Sequence, residues 1–460
     1  MTDPSPSDHD LADLVARQRA FFDSGATRPL GFRLDALGRL EAAIQRDTDR
    51  ILDALAADLG KPPLEAFLAE VHFVISEIRL FRRKLRRWAK PRRVGQPYYL
   101  LPARSEIRRE PYGVALVVAP WNYPLQLSLS PLVAAVAAGN TVVLKPSEFA
   151  PATADYLAGL VAEVFGPAHV SVVAGDAGVG GWLLGLPFDF WFYTGSERVG
   201  RLYASAAAER LAPAVLELGG KCPCVVVEDA DLSLVVPRIV EAKFFNAGQT
   251  CVAPDFVAVA ESRRSELVDG LREQLARCYG TGTPTDLARI VNRRHYDRLL
   301  GLVSGDAVRV GEDDPGRLLL APRLLADARW DDAAMREEIF GPVLPVVGYR
   351  SLDDVLVRLA ARPSPLALYA FSKSRTTLER IAAAVPSGSV CFNDAAKQAL
   401  NLGLPFGGIG ASGMGRYRGK AGFETFAWQR PVMRRFWVKD VFSSLPPYGG
   451  KLERFRKWLK

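Results

Sequence analysis

The chain has 460 residues, with 49% hydrophobic and 24% charged side chains, ordinary values for a soluble globular protein of two or three domains sharing a large core. Its four histidines (His9, His72, His169, His295) lie far apart, and its five cysteines (Cys222, Cys224, Cys251, Cys278, Cys391) have no regular spacing; this argues against a zinc site and a disulfide framework and for reduced thiols in the cytoplasm. The formal net charge of +8 is drawn largely from Arg82 to Arg93 and from Arg434 to Lys460, and basic patches of this kind raise nucleic acid and anionic lipid as partners.

In chain order, Met1 to Asp10 is acidic and polar, unlike a secretory signal or a transit peptide. Residues 11 to 60 read as helices, with Leu34, Leu37, Leu40, Ile44, Ile51, Leu52, Leu55 and Leu59 as an apolar stripe and Gly60 and Pro62 as the stop. Val71, Val74, Ile78, Phe81, Leu85 and Trp88 then recur at helical spacing. The first basic patch is accordingly read as the solvated face of a helix that Pro91 ends, and nucleic acid is not expected as a partner. Tyr98–Arg109 reads as a strand or hairpin. No charged residue stands between Glu110 and Lys145, but Pro120, Asn122, Pro124, Pro131 and Gly139 interrupt that run, so it reads as buried core and not as a membrane span.

From there strands and helices alternate. Strands are expected at Gly113–Ala119, Thr141–Lys145, Val170–Ala174 and Asp189–Thr194, and helices at Ser130–Ala138, Thr153–Phe165 and Val199–Glu209. A second stretch, from Cys224 to about Asn393, repeats the pattern. Its helices are Leu232–Phe245, Arg264–Arg277 and Ser351–Ala361; its strands are Phe256–Ala260, Val343–Val347 and Ser389–Asn393. Such alternation implies an α/β fold with parallel sheets covered on both faces. Leu404–Tyr417 is glycine-rich, Arg434–Val438 reads as a late strand, and the chain ends in a basic tail. In that tail Leu452, Phe455, Trp458 and Leu459 form an apolar face among Lys451, Arg454, Arg456, Lys457 and Lys460. Packing on a partner subunit or a solvated tail is favoured there over a weak peripheral membrane contact.

Five segments carry chemistry. Pro120-Trp121-Asn122-Tyr123-Pro124 follows a hydrophobic strand, where α/β proteins place ligands, and an asparagine amide there suits a developing negative charge. Lys145 to Glu148 sits where a strand gives way to a helix, and a lysine and a glutamate three apart suit ribose hydroxyls or phosphate; a plain helix-entry pair is the competing reading. Tyr193-Thr194-Gly195-Ser196 is a strand, a glycine turn and a helix start, a natural pyrophosphate site without the full glycine fingerprint. Glu217, between leucines and before Gly219-Gly220, reads as a partly desolvated acid suited to general base work, against a strand-end glutamate at a domain crossing. Cys251 closes Asn246-Ala247-Gly248-Gln249-Thr250, a polar, glycine-bearing loop that argues for exposed chemistry. An ordinary thiol ionises near pH ~8.5, so the surroundings are expected to help form the thiolate. Cys222, Cys224, Cys278 and Cys391 lie within or beside apolar segments and are assigned to packing.

In this order and spacing the five segments resemble the aldehyde dehydrogenase superfamily, as do Glu337-Glu338-Ile339-Phe340-Gly341-Pro342 and Leu404-Pro405-Phe406-Gly407-Gly408-Ile409-Gly410. The likeness runs from about residue 30 to 440. The compact N-terminus, Gln249 to Asp255, and Ser412-Gly413-Met414-Gly415 look most like the class-three branch, which includes fatty, aromatic and coniferyl-type enzymes. The resemblance implies a Rossmann-like dinucleotide-binding domain (1–97 and 110–218), an α/β catalytic domain (219–396), a small β oligomerisation arm (98–109 and 425–440), a basic tail (441–460) and a homodimer. It makes Cys251 the nucleophile, Asn122 with the Cys251 N–H the oxyanion hole, and Glu217 the base that hydrolyses an acyl-thioester. It implies NAD or NADP, with Lys145 and Glu148 at the adenosine ribose, Gly195 and Ser196 at the pyrophosphate, Glu338 at the nicotinamide ribose, and Phe340 and Trp121 packing nearby; no metal is implied. The sequence departs from the family at Cys222, where asparagine is usual, and in Asp394 to Gly403, which lacks the histidine that class-three members often carry. An acylating enzyme that uses coenzyme A is disfavoured by Glu217, a cysteine hydrolase by the want of a histidine partner for Cys251, and a non-catalytic scaffold by the retention of every proposed catalytic side chain.

Overall fold

A computed structural model describes residues 8–303, 307–438 and 445–458. Three sheets organise the described residues. The first has the order Gly413–Met414, Ala214–Glu217, Phe190–Thr194, Val114–Val118, Thr141–Lys145, Val170–Val172. Its strands run parallel except Gly413–Met414, which returns antiparallel to Leu216 and Glu217. Counted from Val114, the five parallel strands stand 3-2-1-4-5. The topology therefore reverses between Val114–Val118 and Phe190–Thr194, and the crevice beyond the carboxyl ends of such strands is where open α/β sheets take ligands.

The second sheet orders Val308–Arg309, Arg323–Leu325, Val343–Tyr349, Phe256–Ala260, Pro223–Val226, Ala367–Phe371 and Ser389–Phe392, again parallel apart from its first strand. Most of these strands are continuous apolar runs buried on both faces, the signature of a sheet covered by helices. The uncharged stretch after Glu110 supplies Val114–Val118 and the helix Gln126–Ala138, every residue of which is buried. A helix apolar all round belongs in a core. No helix among the described residues is long and apolar enough to cross a membrane.

The N-terminal helices Asp8–Asp23, Leu30–Arg46 and Thr48–Leu59 match the helical reading of residues 11 to 60. On the helix Phe73–Trp88 the arginines Arg79, Arg82, Arg83, Arg86 and Arg87 are all exposed, and Arg79 and Arg82 also clamp the buried carboxylate of Glu41.

Three expectations need correction. The late strand is Ala427–Arg435 rather than Arg434–Val438. It is set by pairing with Ala103–Pro111, from Ala427 opposite Pro111 to Arg435 opposite Ala103, and its mostly exposed residues carry no alternation to mark it. The hairpin at Tyr98–Arg109 begins earlier, because Arg92–Val94 is the strand that pairs with Ala103–Pro111 and Tyr98–Leu100 is a short helical turn. Cys278 is exposed at the end of the helix Arg264–Tyr279 and does not serve packing, while Cys222 and Cys224 are buried. The tail forms a helix over Lys451–Trp458 with Leu452 exposed, but Leu459 lies outside the described residues.

Candidate active site

The loop that carries Cys251 is fixed from several directions. The helix Leu232–Phe244 ends in a turn in which Asn246 and Ala247 take left-handed backbone angles (φ 54° and 53°) although neither is glycine. Strain of this kind persists only where the surroundings over-determine it. Here the Asn246 N–H donates to Glu65 Oε2 at 2.8 Å, and Asn246 Nδ2 donates to the carbonyls of Asn122 (2.9 Å) and Gln249 (3.2 Å). Gln249 Nε2 donates to the Asn246 and Arg289 carbonyls, and its Oε1 accepts from the Val291 N–H. Gly248 (φ 72°) is required: a Cβ there would lie 2.3 Å from the Gly341 carbonyl oxygen.

Asn122 meets this loop from the first sheet. Its Nδ2 donates to the Gln249 carbonyl at 3.0 Å, and the side chain is buried. This bond uses one of the two amide protons. The neighbouring Tyr123 hydroxyl bonds Thr250 Oγ1 at 2.6 Å, one residue before the thiol. From below, Cys222 Sγ donates to the Cys251 carbonyl at 3.4 Å, and the Tyr369 hydroxyl donates to that of Val252. The loop is thus braced on both sides, and Cys251 remains half-buried.

Glu217 ends the strand Ala214–Glu217 between two sheet neighbours, with its carbonyl accepting from the Gly195 N–H at 3.0 Å. The side chain is buried, and neither carboxylate oxygen has a hydrogen-bond partner among the described residues. Desolvation holds its carboxyl well above the usual range, with Arg418 and Arg416 pulling the other way. The Cys251 thiol is pushed up to about 12, first by burial and then by the nearby Glu338 and Glu217 carboxyls. The expectation that the surroundings lower the thiol meets the opposite balance here: burial and the two carboxyls outweigh Arg418, the cation that pulls the thiol down.

The remaining expected residues ring the same edge. Lys145 and Glu148 form a 3.2 Å ion pair at the end of Thr141–Lys145. Gly195 and Ser196 open the helix Glu197–Glu209, whose first turn has no side-chain cap. Glu338 is pushed up to about 8, chiefly by burial and then by Asp255, while a bond from the Gly220 N–H pulls it down. It lies so close to Gly219 that a Cβ there would be 2.1 Å from its carboxylate. Phe340 meets Trp121 edge-on, ring centroids 5.4 Å apart, and His295 packs on the other flank of Trp121 at 5.7 Å. Lys221 ties this segment down, donating to Asp255 and to the Ala334 and Glu337 carbonyls.

These groups suit a dinucleotide. An uncapped helix N-terminus offers backbone N–H groups to a pyrophosphate. Beside it Thr194 Oγ1 is buried without a partner among the described residues. The Lys145–Glu148 pair presents a donor and an acceptor to a ribose diol, with the strand Val114–Val118 in between.

Sequence reasoning passed over Glu65, Glu70, Lys61 and Arg418. Lys61 and Glu70 form a buried ion pair, Glu70 Oε2 accepts from the Leu125 and Gln126 N–H groups at 2.8 and 3.1 Å, and Lys61 Nζ stands 4.1 Å over the Tyr123 ring. Apart from the Lys61–Glu70 pair itself, nine residues apart, the partners of the two glutamates are 55 to 181 residues distant, so no local pattern marks them. The only hint was a pair of acids beside apolar helical positions.

The sequence matches the Aldehyde dehydrogenase family over residues 4–432. It is 40% identical over 447 residues to the 4,4'-diaponeurosporen-aldehyde dehydrogenase of Staphylococcus aureus (strain NCTC 8325 / PS 47), covering 96% of this chain and 97% of that one. It is 41% identical over 442 residues to human aldehyde dehydrogenase family 3 member B1, covering 95% and 94%. A solved substrate-bound structure of Staphylococcus aureus AldH superposes with a TM-score of 0.94 at 40% identity, covering 98% and 99%.

Proposed function

The chain belongs to the aldehyde dehydrogenase family and oxidises aldehydes to carboxylic acids with NAD or NADP, and from that premise we propose that Cys251 is its nucleophile, Asn122 its oxyanion donor and Glu217 its deacylating base. The observation that carries the assignment is the meeting of three groups at one edge. A braced thiol, an amide bonded to the same loop, and a buried carboxyl without a hydrogen-bond partner among the described residues converge there.

The Cys251 sulfur bonds to the aldehyde carbon, and the thiol proton passes to solvent water. The Asn122 amide and the Cys251 N–H receive the charge that gathers on the aldehyde oxygen. NAD or NADP, when bound, supplies the oxidant that turns this adduct into an acyl-thioester. Lys145 and Glu148 are assigned to the adenosine ribose, Gly195 and Ser196 to the pyrophosphate, Glu338 to the nicotinamide ribose, and Trp121 and Phe340 to packing against the ring. Glu217, ionised, takes a proton from water; the oxygen bonds to the acyl carbon, the C–S bond breaks, and the carboxylic acid leaves.

Cys251→Ala should abolish oxidation. Glu217→Gln should give one burst of NADH per site and then slow turnover, and normal turnover by that variant would remove the base assignment. NADH formation that depended on coenzyme A would favour acyl transfer instead.

The substrate reading extends to apolar aldehydes. Leu64, Phe67 and Leu68 are exposed on the segment whose Glu65 bonds the Cys251 loop, and Leu400 and Leu404 are exposed on the loop at Ala399. A panel of aliphatic and aromatic aldehydes with both cofactors tests it; a preference for short polar aldehydes would refute it. We further assign a dinucleotide-binding unit to 1–97 and 110–218, a catalytic unit to 219–396 and an arm to 98–109 and 425–440. The outer edge of Ala427–Arg435 calls for a partner strand, which supports a homodimer, measurable by light scattering. Five unbridged cysteines support a cytoplasmic setting.

A further inference from the structure

Arg418 is a buried cation in a costly position. Its backbone is left-handed (φ 75°) without being glycine, and the residue is 5% exposed. The guanidinium lies 4.0 Å over the Phe406 ring, 4.8 Å over Phe73 and 5.5 Å over Tyr417. Its Nη1 donates to the Ala399 carbonyl, while Nε has no partner among the described residues. No carboxylate among the described residues forms an ion pair with it, although burying an arginine without one is expensive.

What faces this charge is the deacylation machinery. Phe406, the ring beneath the guanidinium, is followed by Gly407, where a Cβ would stand 2.9 Å from Glu217 Oε1 and 3.0 Å from Arg416 Nη1. Phe406 and Tyr417 exchange backbone hydrogen bonds, so the dipeptide holds Arg418 on one side and Glu217 on the other. The groups that act on Glu217 and its surroundings are Arg418, Arg416, Cys251 and Tyr417, with Glu77 beyond Arg418. Arg416 is already engaged by the Gly408 and Gly415 carbonyls and is partly solvated. Glu77 is held by the Gly419 N–H at 2.8 Å.

We propose that Arg418 is a positioning residue for deacylation: its buried guanidinium, which has no ion-pair partner among the described residues, supplies the positive field that lets Glu217 carry negative charge and so draw a proton from water. The proposal rests on the reading of Glu217 as the base. It explains why the cation is stacked on rings, which fix its place without neutralising it.

The test compares Arg418→Met and Arg418→Lys with the parent, following the NADH burst and the steady-state rate from pH 6 to 10. Arg418→Met should keep cofactor binding and burst amplitude, while the rising limb of kcat against pH moves up by about one unit or more. That is a loss of about tenfold or more in turnover at pH 7, recovered in base. Arg418→Lys should hold the limb near the parent's. In a Glu217→Gln background, Arg418→Met should add nothing further to the slow step. A loss that is uniform across pH, or a limb that stays in place, overturns the proposal. If Arg418→Met does not fold, Arg418→Gln, which keeps a donor for the Ala399 carbonyl, serves in its place with the same two outcomes. Normal turnover of Glu217→Gln alone would instead refute the base reading, which separates the two failures.

Discussion

Lys61→Met is expected to weaken the protein more than its place outside the reaction suggests. Lys61 and Glu70 are a fully buried pair, with side chains 1% and 0% exposed. Burial draws the lysine below its usual range even though Glu70 opposes that shift. Methionine keeps the apolar stem and deletes the cation, which leaves Glu70 as a buried anion. Breaking such a pair from one side costs about 3–5 kcal/mol. Glu70 would still accept from the Leu125 and Gln126 N–H groups, so the lower end, about 3 kcal/mol, is expected. The double variant Lys61→Met with Glu70→Gln removes both charges and keeps an acceptor for those amides. It should lie within about 1 kcal/mol of the parent, recovering about 2 kcal/mol or more of the single variant's loss. Urea unfolding followed by tryptophan fluorescence at one fixed protein concentration measures this. The burst rate should also fall in the single variant, since Lys61 covers the Tyr123 ring next to Asn122. A single variant within about 0.5 kcal/mol of the parent, or a double variant worse than either single, would refute the reasoning.

Glu65 is pushed up to about 7, chiefly by burial and against the bond from the Asn246 N–H. Its folded value thus exceeds its unfolded one, so its contribution to stability is full below about pH 4.5 and is lost as pH rises through 7. Glu65→Gln should gain on the parent by about 1–3 kcal/mol between pH 5 and 8 in urea midpoints, and a difference independent of pH would count against it. Gly248→Ala places a Cβ 2.3 Å from the Gly341 carbonyl oxygen and 3.0 Å from that of Lys243. It should cost at least about 2 kcal/mol and slow the NADH burst about tenfold or more; parental stability and burst would show that the turn has room. Tyr123→Phe deletes the 2.6 Å bond to Thr250, worth about 1 kcal/mol. Acylation should slow by roughly fivefold with cofactor affinity unchanged, and an unaltered burst rate would exclude a role for the hydroxyl in holding the thiol loop.

How far the sequence could be read follows from the range of the forces involved. Val114–Val118 and Phe256–Ala260 are apolar runs bounded by turns, and nothing beyond their own residues is needed to make them buried strands. Ala427–Arg435 had no such mark, because its place is decided by a partner more than three hundred residues earlier. The same division runs through the active site. That Glu217 is desolvated was legible from the leucines on either side of it, and the structure extends this to a carboxyl with no partner among the described residues. What Cys251 experiences was not legible, since it depends on Glu217 and Glu338, carboxyls from two other segments, and they push the thiol in the direction opposite to the one its chemistry asks for. A loop motif identifies which atom must react; the field at that atom is assembled from distant pieces of chain. Burial thus works against the charged form of both the thiol and the carboxyl. The positive groups set against that tendency come from a single stretch, Arg416 to Arg418. Of these the buried one, Arg418, is held by rings and not by a counterion, so its charge stays available to the site.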